Sequence, residues 1–220
     1  MRNLKSRTIC VVLFSVMAVS GQTTQIAKPS ADEMLERSLP GNEVESLTTS
    51  NAFSRALGHV GIAGGAARVL GCEGDYFRQL WSPINKTLRQ ALDTIVETDP
   101  GYRWQLVDGV INLVPAEREP ALLSTKISKF RVTDVTSALD ALSQLLALPE
   151  VKTAMEDLHL KPGIALISHW SSPNPKPFTV TCKGVTLRQA LNAIAHAQGR
   201  ATWDYVETHC DQRNEVIIRF

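Results

Sequence analysis

The 220-residue chain carries little that announces a function. Lys and Arg total 23 against 22 Asp and Glu, a formal charge of +1, so it has neither the basic footprint of a nucleic-acid binder nor an acidic tail. Four cysteines and 6% aromatic residues exclude a disulfide-dense miniature scaffold. Beyond the N-terminus no apolar run approaches the roughly 20 residues that a spanning helix needs. Catalytic signatures are missing as well, since no Gly-x-Ser-x-Gly elbow, His-Glu-x-x-His pair or Gly-x4-Gly-Lys phosphate loop occurs. The stretch Gly61-Ile62-Ala63-Gly64-Gly65 lacks the lysine of a phosphate loop and reads as a flexible approach to a strand. His196, His209, Cys182 and Cys210 are donor types, but they lack the paired spacing of a zinc site. No cofactor or metal is therefore expected. With 44% apolar residues, what remains is ordinary globular protein of one or two domains.

What is present begins at the N-terminus. Arg2, Lys5 and Arg7 precede an apolar run over residues 9–19, with small residues at Ala18 and Ser20. A charged head, a run too short to span and small side chains at the cut make residues 1–20 a secretory signal, cleaved after Ser20. The mature chain is then expected to be periplasmic or secreted, without a transmembrane segment, in a compartment where disulfides persist. Cys10 leaves with the signal, and Cys72, Cys182 and Cys210 remain. Cys182 with Cys210 is the expected bridge, because both fall in one module and close a 28-residue loop worth about 3.5 kcal/mol in chain entropy. Cys72 is left as a buried thiol, an intermolecular link or a competitor for either partner.

A duplication organises the rest. Thr87-Leu88-Arg89-Gln90-Ala91-Leu92 recurs letter for letter as Thr186-Leu187-Arg188-Gln189-Ala190-Leu191, an offset of 99 that Trp104 and Trp203 also keep. Gly61-Ile62-Ala63 recurs as Gly163-Ile164-Ala165 at an offset of 102. Leu88, Ala91, Leu92, Ile95 and Val96 form one apolar helix face, as do Leu187, Ala190, Leu191, Ile194 and Ala195. Thr with Gln three residues later is a capping box, so both helices start at the threonine. Period-2 segments flank them, and Asp108-Gly109 between two β-rich runs predicts a type I′ hairpin. Each copy reads β-α-β-β-α-β-β, giving an α+β fold of two tandem modules with two helices apiece on small mixed sheets. Module 1 is expected over 43–115 and module 2 over 125–220, joined by a linker at 116–124 and preceded by a flexible segment at 21–42.

Val185-Thr186-Leu187-Arg188-Gln189-Ala190-Leu191-Asn192-Ala193-Ile194, then Gly199, a Trp-bearing strand and Glu215-Val216-Ile217-Ile218, resembles the secretin and TonB-receptor short N-terminal domain, the STN domain. The resemblance is strongest over 176–220 and weaker over 76–115. It implies a periplasmic βαββαββ module that meets other proteins and brings no catalytic residues. In the family a pore or barrel usually follows, whereas this chain ends at Phe220, so channel and receptor functions are not carried over.

Binding is accordingly the expected role, with an envelope protein or a second copy as partner and no nucleic acid. Trp81 and Trp170, each before a Ser/Pro stretch, are the candidate interface anchors, together with His169. Trp104 and Trp203, at repeated positions, are expected to pack helix against sheet. Unpaired strand edges offer a second route to a partner. The competing expectation is a small secreted hydrolase centred on His169, with Asp204 or Glu207 as its orienting carboxylate.

Overall fold

Both repeated hexapeptides start helices, and both do so by the expected device. The Thr87 and Thr186 hydroxyls accept from the backbone N–H of Gln90 and Gln189, and each Gln side chain accepts in return from the threonine N–H. The structure, a computed structural model, describes residues 31–41, 44–73, 79–83, 85–163, 176–199, 201–211 and 213–220. The predicted signal over 1–20 lies outside them.

The fold is mixed α+β. The first half runs α1 (Ala31–Leu35), β1 (Glu45–Leu47), α2 (Thr49–Val60), β2 (Gly64–Leu70), β3 (Gln79–Trp81), α3 (Leu88–Thr98), β4 (Tyr102–Val107) and β5 (Val110–Pro115). A 3-10 turn at Ala121–Ser124 leads into β6 (Lys126–Val135), α4 (Ala138–Leu146), α5 (Pro149–Asp157), β7 (Lys161–Pro162), β8 (Phe178–Thr186), α6 (Leu187–Gln198), β9 (Thr202–Cys210) and β10 (Arg213–Arg219). From β1 and from β6 the order is the same, except that the second half adds α5. Pro149 does more than stop α4: it occupies the first turn of α5, where its missing N–H costs nothing. Asp108 and Gly109 both have positive φ, 52° and 75°, as a type I′ hairpin requires.

Strand pairing repeats too. β1 with β3 and β6 with β8 are antiparallel two-stranded sheets, and a six-stranded sheet has the order β4-β5-β2-β9-β10-β7. Each triplet holds one antiparallel pair (β4 with β5, β9 with β10) and one parallel pair (β5 with β2, β10 with β7). The triplets join through β2 and β9, parallel from Gly64 opposite Thr202 to Leu70 opposite Thr208.

Register decides where the cores lie. Trp104, Leu113, Ala66 and Asp204 are successive cross-strand partners and share one face, while Gln105, Asn112, Gly65 and Trp203 share the other. The first face carries the core built on α2 and α3 with Phe53, Leu57, Leu92 and Ile95. The second carries the core built on α4 and α6 with Leu142, Leu191, Trp203 and Tyr205. The helices of the two halves therefore cover opposite faces of one sheet. Val110 through Val114 on β5 are all buried, as expected of a strand covered on both sides.

Residues of the expected linker, 116–124, and of the expected flexible segment, 21–42, take part in this packing. Leu122 and Leu123, inside 116–124, and Leu35, inside 21–42, are fully buried, and Met34 and Leu39 are buried beside Leu35. Their roles correspond: the Leu88 N–H donates to the Arg37 carbonyl and the Leu187 N–H to the Thr125 carbonyl, both at 2.9 Å. The repeated arginines follow suit, Arg89 pairing with Glu36 at 2.7 Å and Arg188 with Glu119 at 3.1 Å.

The cysteine expectation is corrected. The disulfide joins Cys72 to Cys210, and Cys182 is a free, half-buried thiol. The physical reason is the β2–β9 register, which continues two residues past Leu70 and Thr208 and sets Cys72 against Cys210 with Cα atoms 4.5 Å apart. Cys182 sits in a different sheet, opposite Phe130 of β6.

Candidate functional site

The repeated tryptophans anchor the second helix of each half. Trp203, fully buried on β9, donates its indole N–H to Asn192 Oδ1 of α6 at 2.8 Å. Trp104 on β4 makes the equivalent bond to Asp93 Oδ1 of α3, also at 2.8 Å, with the Arg89 guanidinium 6.0 Å from its ring centroid. Gly65, beside Trp203, leaves the space that the indole fills, since a Cβ there would lie 1.9 Å from Trp203 Cε2.

Beside this anchor α6 and β8 diverge into a groove of about 370 Å³. On β8 it is lined by the consecutive residues Thr179, Val180, Thr181 and Cys182, and then by Val185. On α6 it is lined by Gln189, Asn192, Ala193, His196 and Ala197, one helical face. Asp108, from the β4–β5 turn of the first half, closes one end and accepts from Gln189 Nε2 at 3.3 Å. Burial pushes the Cys182 thiol above its ordinary range, so it is a poor nucleophile at neutral pH. Asn192 is 2% exposed, and with its Oδ1 taken by Trp203 its Nδ2 has no hydrogen-bond partner.

At the positions 99 residues earlier the first half is built differently. Val185, Ala193 and Ala197 correspond to Lys86, Thr94 and Thr98, and Asn192 and His196 to Asp93 and Glu97. Lys86 Nζ, from the loop that leads into α3, donates to Thr94 Oγ1 at 3.0 Å, a link that Val185 and Ala193 cannot make in the second half. The chain has no significant match among family models, curated proteins or solved structures. Differences between its own two halves are thus the comparison at hand, and they single out the groove.

The residues expected to carry function fall elsewhere. Trp81 is corrected from interface anchor to core residue: it is 4% exposed on β3, opposite Glu45, while its neighbour Leu80 is 76% exposed. Period-2 alternation over Gln79-Leu80-Trp81 turns Trp81 inward, a signal that the Ser82-Pro83 loop context obscured. His169 and Trp170 lie outside the described residues. Asp204 is held between Arg68 and Arg219, at 3.0 and 2.7 Å. Glu207 accepts from the Tyr205 hydroxyl and stands 2.6 Å from His209 Nε2. Burial, and then Glu207, push the Tyr205 phenol well above its ordinary value near 10. Among the described residues, Cys72, Cys210 and Asp211 form the one tight cluster of metal-ligand types, and its two sulfurs are joined in the disulfide. No helix of the described residues is long and apolar enough to cross a membrane.

The groove was not foreseen from the sequence. The available signal was the replacement of Lys86, Thr94 and Thr98 by Val, Ala and Ala in and just before the repeated helices.

Proposed function

We propose that the chain is exported and works as a non-catalytic protein-binding adaptor of the bacterial cell envelope, built from two STN-like units. The observation that carries this reading is the groove on the second half, opened by small residues where the first half is bridged by Lys86 and Thr94. A duplicated unit that keeps its helix cap and Trp anchor yet loses the Lys86–Thr94 link has changed its surface while keeping its scaffold. The Cys72–Cys210 disulfide supports an oxidising compartment, in keeping with the N-terminal signal pattern. The ion pairs that occupy Asp204 weigh against its serving a hydrolase.

Photocrosslinking in the native envelope tests the reading. Benzoylphenylalanine in place of His196, on the groove, is expected to give a discrete adduct with another protein. The same group in place of Glu97, the exposed counterpart, is expected to give none. No adduct at position 196, or equal adducts at both, overturns the binding role. Intact mass of the mature protein is expected to show Gly21 as its N-terminus, and a retained Met1 overturns export.

A further inference from the structure

Resting on the binding reading, we infer that the groove takes an internal stretch of an extended polypeptide, added as a strand along the free edge of β8. Successive side chains of a strand point to opposite faces, so a cavity touched by residues 179–182 in a row lies against the strand's edge. Main-chain N–H and C=O groups point there. Among the described residues β8 pairs only with β6, on its other edge. An edge beside a helix is the setting in which main-chain hydrogen bonds hold a partner strand and alternate side chains enter pockets.

The opposite wall states what the strand must carry. Ala193 and Ala197 leave room for a small aliphatic side chain over Val180 and Val185. Asn192, nearly inaccessible, holds an NH2 group that none of the described residues satisfies, and a carbonyl of the incoming strand is the acceptor it lacks. Charge narrows the choice further. Among the described residues Asp108 is the one carboxylate side chain lining the groove, and neither Lys nor Arg stands there. A free C-terminal carboxylate is therefore disfavoured, and a Lys or Arg near the Asp108 end is favoured. The occupant is an internal segment pairing an aliphatic residue with a basic one.

The test is selection from a random dodecapeptide phage library on the full oxidised chain. Enriched sequences are expected to alternate small aliphatic with polar or basic residues. Their affinity should fall about tenfold or more for V185K/A193T, which installs the residues that bridge the first half. N192D, which keeps an acceptor for the Trp203 indole and removes the NH2 group, should also bind about tenfold more weakly. It serves as the second variant should the double substitution disturb folding. Bound peptide should slow amide exchange at residues 179–182 and shift the Asn192 side-chain amide resonances. Failure to enrich any peptide, binding that survives both variants, or binding without slowed exchange on β8 each overturns strand addition. An envelope adduct at position 196 without peptide enrichment leaves the adaptor role standing. Peptide binding in vitro without any envelope adduct removes the role and keeps the site.

Discussion

Gly65→Ala is expected to be among the most damaging single-atom changes in the protein. The added Cβ would lie 1.9, 2.2 and 2.3 Å from Cε2, Cζ2 and Nε1 of Trp203, all ring atoms that cannot rotate aside. The indole is fully buried and bonded to Asn192, so yielding means moving β2 from β9 or moving the ring and breaking that bond. Overpacking of this kind costs about 1–3 kcal/mol. Orphaning the indole N–H and Asn192 Oδ1 adds about 1–3 kcal/mol. Replacing glycine returns only about 0.4–1 kcal/mol through the unfolded chain. The net expectation is a loss of about 1–6 kcal/mol, read from urea unfolding followed by tryptophan fluorescence with the denaturant slope unchanged. Gly58→Ala is the matched control: it lies within α2 with nothing within 4 Å of the new methyl, and should stabilise by about 0.5–1 kcal/mol. Adding Trp203→Leu to Gly65→Ala should cost less than the two changes summed, because both act on one contact. A Gly65→Ala protein within 0.5 kcal/mol of the parent, a threshold set near measurement error, would refute the packing argument.

Other outcomes follow from the same geometry. A nonreduced digest should yield a Cys72–Cys210 peptide and a Cys182 thiol that reacts only slowly at neutral pH, whereas a linked Cys182 peptide would contradict the β2–β9 register. Cys72→Ser opens a crosslink of sequence separation 138, for which chain entropy gives at most about 5 kcal/mol, measurable as a lowered urea midpoint. Because the folded Tyr205 phenol is held above its ordinary value, its contribution is present below pH 10 and lost as pH rises above that. The stability gap between the parent and Tyr205→Phe should therefore narrow by about 1.4 kcal/mol per pH unit above 10, and a gap constant to pH 12 would contradict it. Thr186→Ala removes a helix cap and should cost about 1 kcal/mol by thermal unfolding, with no effect signalling that packing alone holds the α6 start.

Local chemistry was legible in the sequence wherever it acts over a few residues. The capping boxes, the Asp108-Gly109 turn and the apolar faces of α3 and α6 need only neighbours within one turn, and they form where the spacing placed them. Long-range pairing was not legible. The Cys72–Cys210 bridge follows from β2 lying beside β9, a joint between halves that no spacing within one half reports. Trp81 misled because its loop context outweighed a three-residue alternation. The groove depends on what Lys86 does in the first half and Val185 cannot do in the second, a contrast that gains meaning only once strand and helix are seen side by side.

The β2–β9 joint also limits how far the sheet can grow. A parallel contact between unlike edges has no symmetry to close it, and repeated indefinitely it would make a fibre. Accepting Trp203 requires glycine at position 65, because any Cβ there would meet the indole ring. The joint therefore runs in one direction, and a further strand of this kind could join by it only where glycine stands opposite its tryptophan.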